Sequence, residues 1–229
     1  MKSMKKKVAA LVAVALIFGC VIGGSLAWLI ADPVTVTNTF TDSNIAITLD
    51  EADTNENGQF LNESGNVVTN ISDAKRVPDN TYKMVPGYTY PKDPTVTVEA
   101  KSEACLLFIK VKEANMVLTS DSSKEYLTYS IDKETVTSGD TWHELELDGV
   151  ANVYYREVPA SESNQLFTIL TGNQVKVNDE VTKADMTAAH TNAPTVTFKA
   201  CAVQLMKDNE NKFTATEAWD NVPDAFKNA

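Results

Sequence analysis

The sequence predicts an all-β fold, an antiparallel β-sandwich with one or two short helices. Apolar and polar residues alternate with a period of two along many short runs, as they do in half-buried strands. Val, Ile, Thr and aromatic residues dominate these runs, and clusters of Asn, Asp, Gly and Pro separate them. About ten such runs with little helical pattern between them are typical of a β-sandwich or barrel.

Length and charge favour one soluble domain that follows an export signal. The chain has 229 residues, and removing a signal at residues 1–27 leaves enough for a single domain over 28–229 with a core of its own. Four lysines lie in the signal, which leaves 16 basic against 31 acidic residues and a net charge of −15. This charge repels nucleic acid and anionic lipid, so we expect neither as a partner.

The N-terminus has the three parts of a secretory signal. Lys5-Lys6-Lys7 is followed by an uncharged stretch from 8 to 31, and Ser25-Leu26-Ala27 places small residues at the −3 and −1 positions. The pattern predicts cleavage between Ala27 and Trp28, a secreted product, and membrane contact only before cleavage. The uncharged stretch is also long enough to span a bilayer, so an uncleaved anchor is the alternative.

The mature chain begins with an arm, residues 28–41, that has a strand pattern. Thr residues at 35, 37, 39 and 41 alternate with a second set of side chains, Val34, Val36, Asn38 and Phe40. One face of this strand is therefore apolar apart from Asn38, and the other is polar and β-branched.

Further strands are predicted throughout the body of the chain. Their residue ranges are 45–49, 95–99, 105–112, 126–132, 142–147, 150–157, 165–171 and 194–206. In the strand at 105–112 we expect the odd-numbered residues to face the core, while Lys110 and Lys112 reach water. In the last strand Val196, Phe198, Ala200 and Ala202 share one face.

Turn-forming and helix-capping residues mark the remaining segments. Residues 50–81 form a polar excursion rich in Asn and Asp, and Pro86-Gly87 predicts a type II turn. A helix is predicted near 182–187. Another starts at the capping box from Thr214 to Glu217, and Pro223 ends or kinks it.

Three cysteines are present, and one of them, Cys20, lies in the signal, where the bulky Phe18 makes a poor lipobox. Cys105 is in phase with core residues of its strand, whereas Cys201 is in phase with Lys199 and Val203. Because these phases place the two thiols on different faces, we expect unpaired cysteines rather than a disulfide.

Several runs resemble the TasA/camelysin-like family, which comprises secreted biofilm-matrix and cell-surface proteins of Gram-positive bacteria (Firmicutes). These runs are GGSLAW, TNTFT and NIAITLDE near the start, YKMVPGYTYPKDPTVTVEAKSEACLLFIKV at 82–112, and VYYREV, LFTIL and FKACAVQ later. The similarity covers nearly the whole chain. It is most specific at 19–51 and 82–112.

The resemblance implies a jelly-roll-like sandwich and assembly into extracellular fibres. It implies cleavage by a dedicated SipW-type signal peptidase, after which the arm 28–41 pairs as a donor strand with the next subunit. An extended Val/Thr segment can complete an open sheet edge through main-chain hydrogen bonds. The alternative is that residues 34–41 pair within their own subunit.

Some camelysin-like proteins are described as metallopeptidases, so the sequence must be tested for a zinc site. His143-Glu144 begins an HExxH-like run, but Leu147 stands where the second His is required, and the alternation suits a strand. The other histidine is His190, in an expected loop. We therefore expect no catalytic residues and no enzyme activity.

Two other short motifs have ordinary explanations. Asp53, Asn55 and Asn57 match the first half of a calcium loop that bends at Gly58, but position 12 is Ser64 instead of Glu, so a solvated turn is favoured and no cofactor is expected. Tyr90-Pro91-Lys92 matches a pilin motif but closes a turn more simply.

Three functions remain at this level. The first is a non-enzymatic structural protein that self-associates into surface or biofilm-matrix fibres. The second is a monomeric surface adhesin or binding domain that presents the loop 50–81. The third is a metallopeptidase.

Overall fold

The computed structural model describes residues 44–133 and 141–228, which contain eleven β-strands and three short α-helices. The strands pair antiparallel in three sheets, so the all-β prediction is confirmed. The signal, the arm and the residues predicted within them lie outside the described residues, namely Ala27, Trp28, Val34, Val36, Asn38 and Phe40.

The strands are β1 Ile47–Ala52, β2 Arg76–Val77, β3 Thr89–Pro91, β4 Thr95–Val98, β5 Cys105–Ala114, β6 Leu127–Thr128, β7 His143–Glu144, β8 Val153–Val158, β9 Gln165–Thr168, β10 Gln174–Val177 and β11 Thr195–Gln204. Eight of these strands fall in predicted runs, whereas β2, β3 and β10 were not predicted. The helices are α1 Lys183–Ala189, α2 Ala215–Asp220 and α3 Asp224–Lys227. No helix among these residues is long and apolar enough to cross a membrane.

Sheets I and II share the main core. Sheet I has the strand order β2-β1-β4-β9, and sheet II has the order β11-β5-β8-β7. Val96 and Val98 of sheet I are buried against Leu107 and Ile109 of sheet II, and none of the four is more than 1% exposed. The period of two in these strands thus has its predicted cause, because alternate side chains enter one shared core.

The other face of sheet II is covered by the C-terminal helices. Leu106 and Phe108 are buried there, and the Phe108 ring lies 5.7 Å from that of Trp219 in α2. Lys110 was expected in water on this face, but its ammonium donates to the Lys227 carbonyl at the end of α3 and is part-buried. Lys112, beyond the helices, is exposed as predicted.

Sheet III, with the order β3-β10-β6, packs under α1 around a separate core that includes Tyr90, Tyr126 and Val175. The first turn of α1 has a capping box, in which Thr182 Oγ1 accepts from the Asp185 amide while the Asp185 carboxylate accepts from the Thr182 amide. The predicted helix near 182–187 is therefore present.

Some predicted elements have different bounds. Ladder pairing covers only Leu127–Thr128 and His143–Glu144 of the longer runs at 126–132 and 142–147. Trp142 is nevertheless buried in the main core, and Leu145 is buried in the core beneath the C-terminal helices. The described residues contain three α-helices instead of one or two, because Pro223 ends one helix and caps the start of α3.

The polar excursion at 50–81 is partly a sheet. It contains the end of β1 and all of β2, which returns to pair Glu51 with Val77 and Ala52 with Arg76. Arg76 fixes this return, since its Nε donates to Asp50 at 2.8 Å and its Nη1 donates to Asp93 at 2.5 Å. The sequence predicted a loop for these charged residues, but long-range pairing between β1 and β2 holds them in a sheet.

Candidate functional site

Strand β11 is a long edge strand. All ten of its residues pair with β5 on one side. No strand of the described residues pairs with its outer side. The backbone groups that point outward in an edge strand are available to another extended segment, which is the property that lets edges bind a further strand.

The core-facing side of β11 is incompletely covered. Val196, Phe198, Ala200 and Ala202 pack against the main core but are only half-buried. Their ladder partners on β5 are much better shielded: Val111, opposite Phe198, is 5% exposed, and the β5 residues opposite both alanines are fully buried. An apolar strip therefore lies at the rim of the core.

Strand β1 borders the same opening from sheet I. Ile47 and Leu49, with Ile45 just before the strand, are also half-buried on the main core. On the side away from β4, only Glu51 and Ala52 of β1 have a strand partner among the described residues. The opening is therefore bordered by two incompletely paired strands.

Three cavities follow β11 along this opening, and together with the two strand edges they define what we call the β1–β11 groove. One of about 770 Å³ lies between Ile45 and residues 201–204. One of about 150 Å³ lies between residues 49–51 and 196–198. One of about 410 Å³ lies beside residues 194–197 and the Tyr82 ring. The three cavities border residues 194–198 and 201–204, near both ends of the strand.

A buried ion pair lies midway along the groove. Lys92 Nζ donates to Glu51 Oε2 at 2.8 Å, and the two side chains are only 14% and 6% exposed. Both residues line the middle cavity, and Lys92 Nζ lies 5.8 Å from the centre of the Phe198 ring. The lysine of the Tyr-Pro-Lys motif is thus held within the groove wall.

Tyrosines support this ion pair from the side of sheet III. Tyr82 donates its hydroxyl hydrogen to the Pro91 carbonyl at 2.8 Å, and its ring lies 5.2 Å from that of Tyr90 and 5.9 Å from Lys92 Nζ. Burial, and then the charge of Glu51, raise the pKa of Tyr82 well above its usual value. Tyr82 therefore stays a neutral packing residue.

The loop at 53–58 is a closed turn. The Asn55 side-chain oxygen accepts from the amides of Asn57 at 3.1 Å and Gln59 at 3.0 Å, and Gly58 has a φ of +77°. This arrangement is an Asx turn, and its hydrogen bonds explain the Asn-rich sequence without a bound ligand. Calcium binding by Asp53, Asn55 and Asn57 remains untested.

The histidines and cysteines lie on separate elements. His143 is exposed on β7 with its ring 5.6 Å from that of Tyr155, and His190 is the exposed C-cap of α1. Cys105 lies in the main core and Cys201 packs on the opposite face of sheet II, both as free thiols, which agrees with the phases in the sequence. Over 44–133 and 141–228, no group of three or more His, Cys, Asp or Glu side chains could hold a metal ion.

Sequence reasoning found the apolar face of β11 but missed the groove and its ion pair. The face follows from alternation, whereas the missing neighbour of β11 and the meeting of Glu51 with Lys92 depend on long-range pairing. Comparison of the chain with protein-family models, curated proteins and solved structures found no match.

Proposed function

We propose that this chain is a non-enzymatic subunit of extracellular fibres at a bacterial cell surface or in a biofilm matrix. A SipW-type signal peptidase cuts between Ala27 and Trp28, and the freed arm 28–41 enters the β1–β11 groove of the next subunit. The finer fold in this proposal is a jelly-roll-like sandwich that the incoming arm completes.

The observation that carries the proposal is the outer edge of β11, which no strand within 44–133 or 141–228 pairs with, beside a half-buried apolar strip. A single extended segment can occupy both the edge and the strip, because its backbone pairs with the edge while alternate side chains cover the strip. At about 3.4 Å per residue, residues 34–41 extend about 27 Å, which fits within the roughly 34 Å of a ten-residue strand.

The arm also has the matching chemistry. Its residues at 34, 36 and 40 are apolar and alternate with threonines, so one face can cover the strip while the other meets solvent or the far side of sheet II. Cleavage acts as the trigger, because an arm still joined to its membrane-bound leader cannot reach a neighbouring subunit.

Electron microscopy of the secreted protein, residues 28–229, tests this proposal. We expect ordered filaments from the full mature chain and none from a variant that lacks 28–41, whose circular dichroism should remain that of a folded β protein. Filaments from the truncated variant would refute donor-strand assembly. Mass spectrometry of the secreted form should identify Trp28 as its first residue.

A second candidate, a monomeric adhesin, is favoured by exposed apolar residues on the segment 50–81. Val67 is 54% exposed and Ile71 is 39% exposed. Under this function the mature chain stays monomeric at all salt and protein concentrations, and the arm pairs within its own subunit. Sedimentation velocity of the mature chain separates the two functions.

A further inference from the structure

We propose that the ion pair between Lys92 and Glu51 sets the register of the arm by selecting Asn38. The inference rests on the proposed function and adds a specific alignment to it. The arm runs antiparallel to β11 with Asn38 opposite Phe198.

The arm and the groove each place a polar group beside apolar ones. Asn38 is the polar member of the set at 34, 36, 38 and 40, and the buried Lys92–Glu51 pair lies beside Phe198 in the middle cavity, which Asp50 and Asp79 also line. An amide both donates and accepts hydrogen bonds, and one ammonium can donate three. Asn38 can therefore accept from Lys92 and donate to Glu51 without breaking the ion pair.

A shifted register separates Asn38 from the ion pair. A shift of two residues places Phe40 at the ion pair and Asn38 against Ala200, which packs on the main core, or it places Val36 at the ion pair and Asn38 against Val196. A shift of one residue turns the threonines inward and the apolar set outward. A single buried polar contact of this kind is a known means of fixing alignment.

The antiparallel direction uses the whole apolar strip. With Asn38 at Phe198, it places Val34 opposite Ala202, Val36 opposite Ala200 and Phe40 opposite Val196. The larger arm residues thus meet the two alanines. A parallel arm with the same central contact would place Val34 opposite Pro194, before β11 begins, and leave Ala202 uncovered.

This register brings Thr35 opposite Cys201, a free and half-buried thiol on the other face of β11. Directly opposed residues have Cβ atoms about 4.5–5.5 Å apart, which is close enough for a disulfide after a small adjustment. Diagonal neighbours are too far apart to form one. Cys105 cannot compete, because it is fully buried in the main core. One added cysteine therefore reports the alignment.

The experiment compares Thr35→Cys, Thr37→Cys and Thr41→Cys in assembled filaments of the mature chain. Copper phenanthroline and oxygen accept the two electrons and two protons released as each pair of thiols forms a disulfide. On a non-reducing gel we expect a ladder of covalent multimers from Thr35→Cys, at about tenfold higher yield than from the other two variants. Adding Asn38→Val to the first two variants should lower that ratio severalfold.

Each other outcome overturns a specific part of the proposal. A ladder from Thr37→Cys contradicts the register, and one from Thr41→Cys contradicts the direction. Filaments that cross-link in none of the variants contradict placement along β11. A cross-linked monomer from Thr35→Cys without filaments instead shows that the arm pairs within its own subunit, which refutes the proposed function while leaving the alignment intact.

Discussion

Gly58 shows how one residue satisfies two constraints. Its φ of +77° lies in the left-handed region, and a Cβ atom there would come 2.9 Å from Cδ1 of Tyr90 and 3.0 Å from Cδ of Pro91. Glycine is the residue that avoids both the backbone strain and the collision. The calcium-like spelling around this position is explained by the geometry of the turn.

Gly58→Ala should lower the free energy of unfolding by about 2–4 kcal/mol, since strain and overpacking both act. Gly65→Ala is the matched control, because its φ of +76° is nearly the same and nothing lies within 4 Å of the added methyl. We expect about 1 kcal/mol for the control. Urea unfolding measures both variants, and equal losses would contradict the close contact with Tyr90.

Asp185 is a buried carboxylate surrounded by donors. It accepts hydrogen bonds from the hydroxyls of Ser120, Thr182 and Thr119, and from the amides of Ser120 and Thr182. These bonds, with that from the Ser120 hydroxyl foremost, hold the pKa of Asp185 far below its usual value. The carboxylate thus joins the loop at 119–120 to the start of α1.

Asp185→Asn should lower the urea midpoint at neutral pH. The side-chain NH2 group of Asn would face hydroxyl and amide donors that now bond to a carboxylate oxygen. A depressed folded-state pKa contributes stability above the unfolded value of about 3.9, and that stability is lost as the pH falls below it. The gap between wild type and variant should therefore be constant above about pH 5 and shrink below about pH 4. Asp121→Asn, at a side chain that is 43% exposed, should change little. A gap independent of pH would contradict the role of the charge.

At the scale of elements, β11 is paired with β5 on one side and has no strand partner on the other side in the described part of the chain. Its two faces also differ, because Ala200 and Ala202 meet the main core while Cys201 and Val203 pack toward the C-terminal helices. The strand therefore keeps its place through β5 and through both cores. A ligand strand can occupy its outer edge without displacing any described partner.

Ala200→Lys should abolish filaments and leave the subunit folded. An inward-pointing charge on an edge strand blocks further pairing, and its long stem lets the ammonium reach water in the free subunit. Thr197→Lys is the control, since Thr197 is exposed on the opposite face of the same strand. Electron microscopy should show filaments for the control alone, and filaments from Ala200→Lys would place the assembly surface elsewhere.

At the scale of the whole molecule, the dominant property is negative charge. A net charge of −15 on residues 28–229 keeps free subunits apart and opposes their close packing in a fibre. In the proposed fibre, backbone pairing and the apolar strip of the groove act against this repulsion. Both interactions are short-ranged, so we expect ionic strength to control how readily subunits meet.

Raising NaCl from about 10 to 150 mM should speed filament growth severalfold, because the Debye length falls from about 30 to 8 Å and screens the repulsion. Light scattering at fixed protein concentration measures the rate. Slower growth at the higher salt would indicate that attraction between opposite charges drives assembly, contrary to the groove mechanism.

Much of the fold could be predicted from local patterns. Alternation identified eight of the eleven described strands and the core face of β11, the capping box from Thr214 to Glu217 marked a helix start, and Gly87 has the positive φ that its turn requires. These features depend on residues close together in the chain, so the chain's own order contains them. Residue phase also separated Cys105 from Cys201 correctly.

By itself the sequence determined most of the strands and which way their side chains alternate, but not β2, β3 or β10. Only the tertiary structure decided that the strands form three sheets, that β11 lies at an edge, and that Glu51 meets Lys92. The physical reason is that a period of two specifies a face but no neighbour. Strand pairing, and hence any open edge, is set by contacts between residues far apart in the chain.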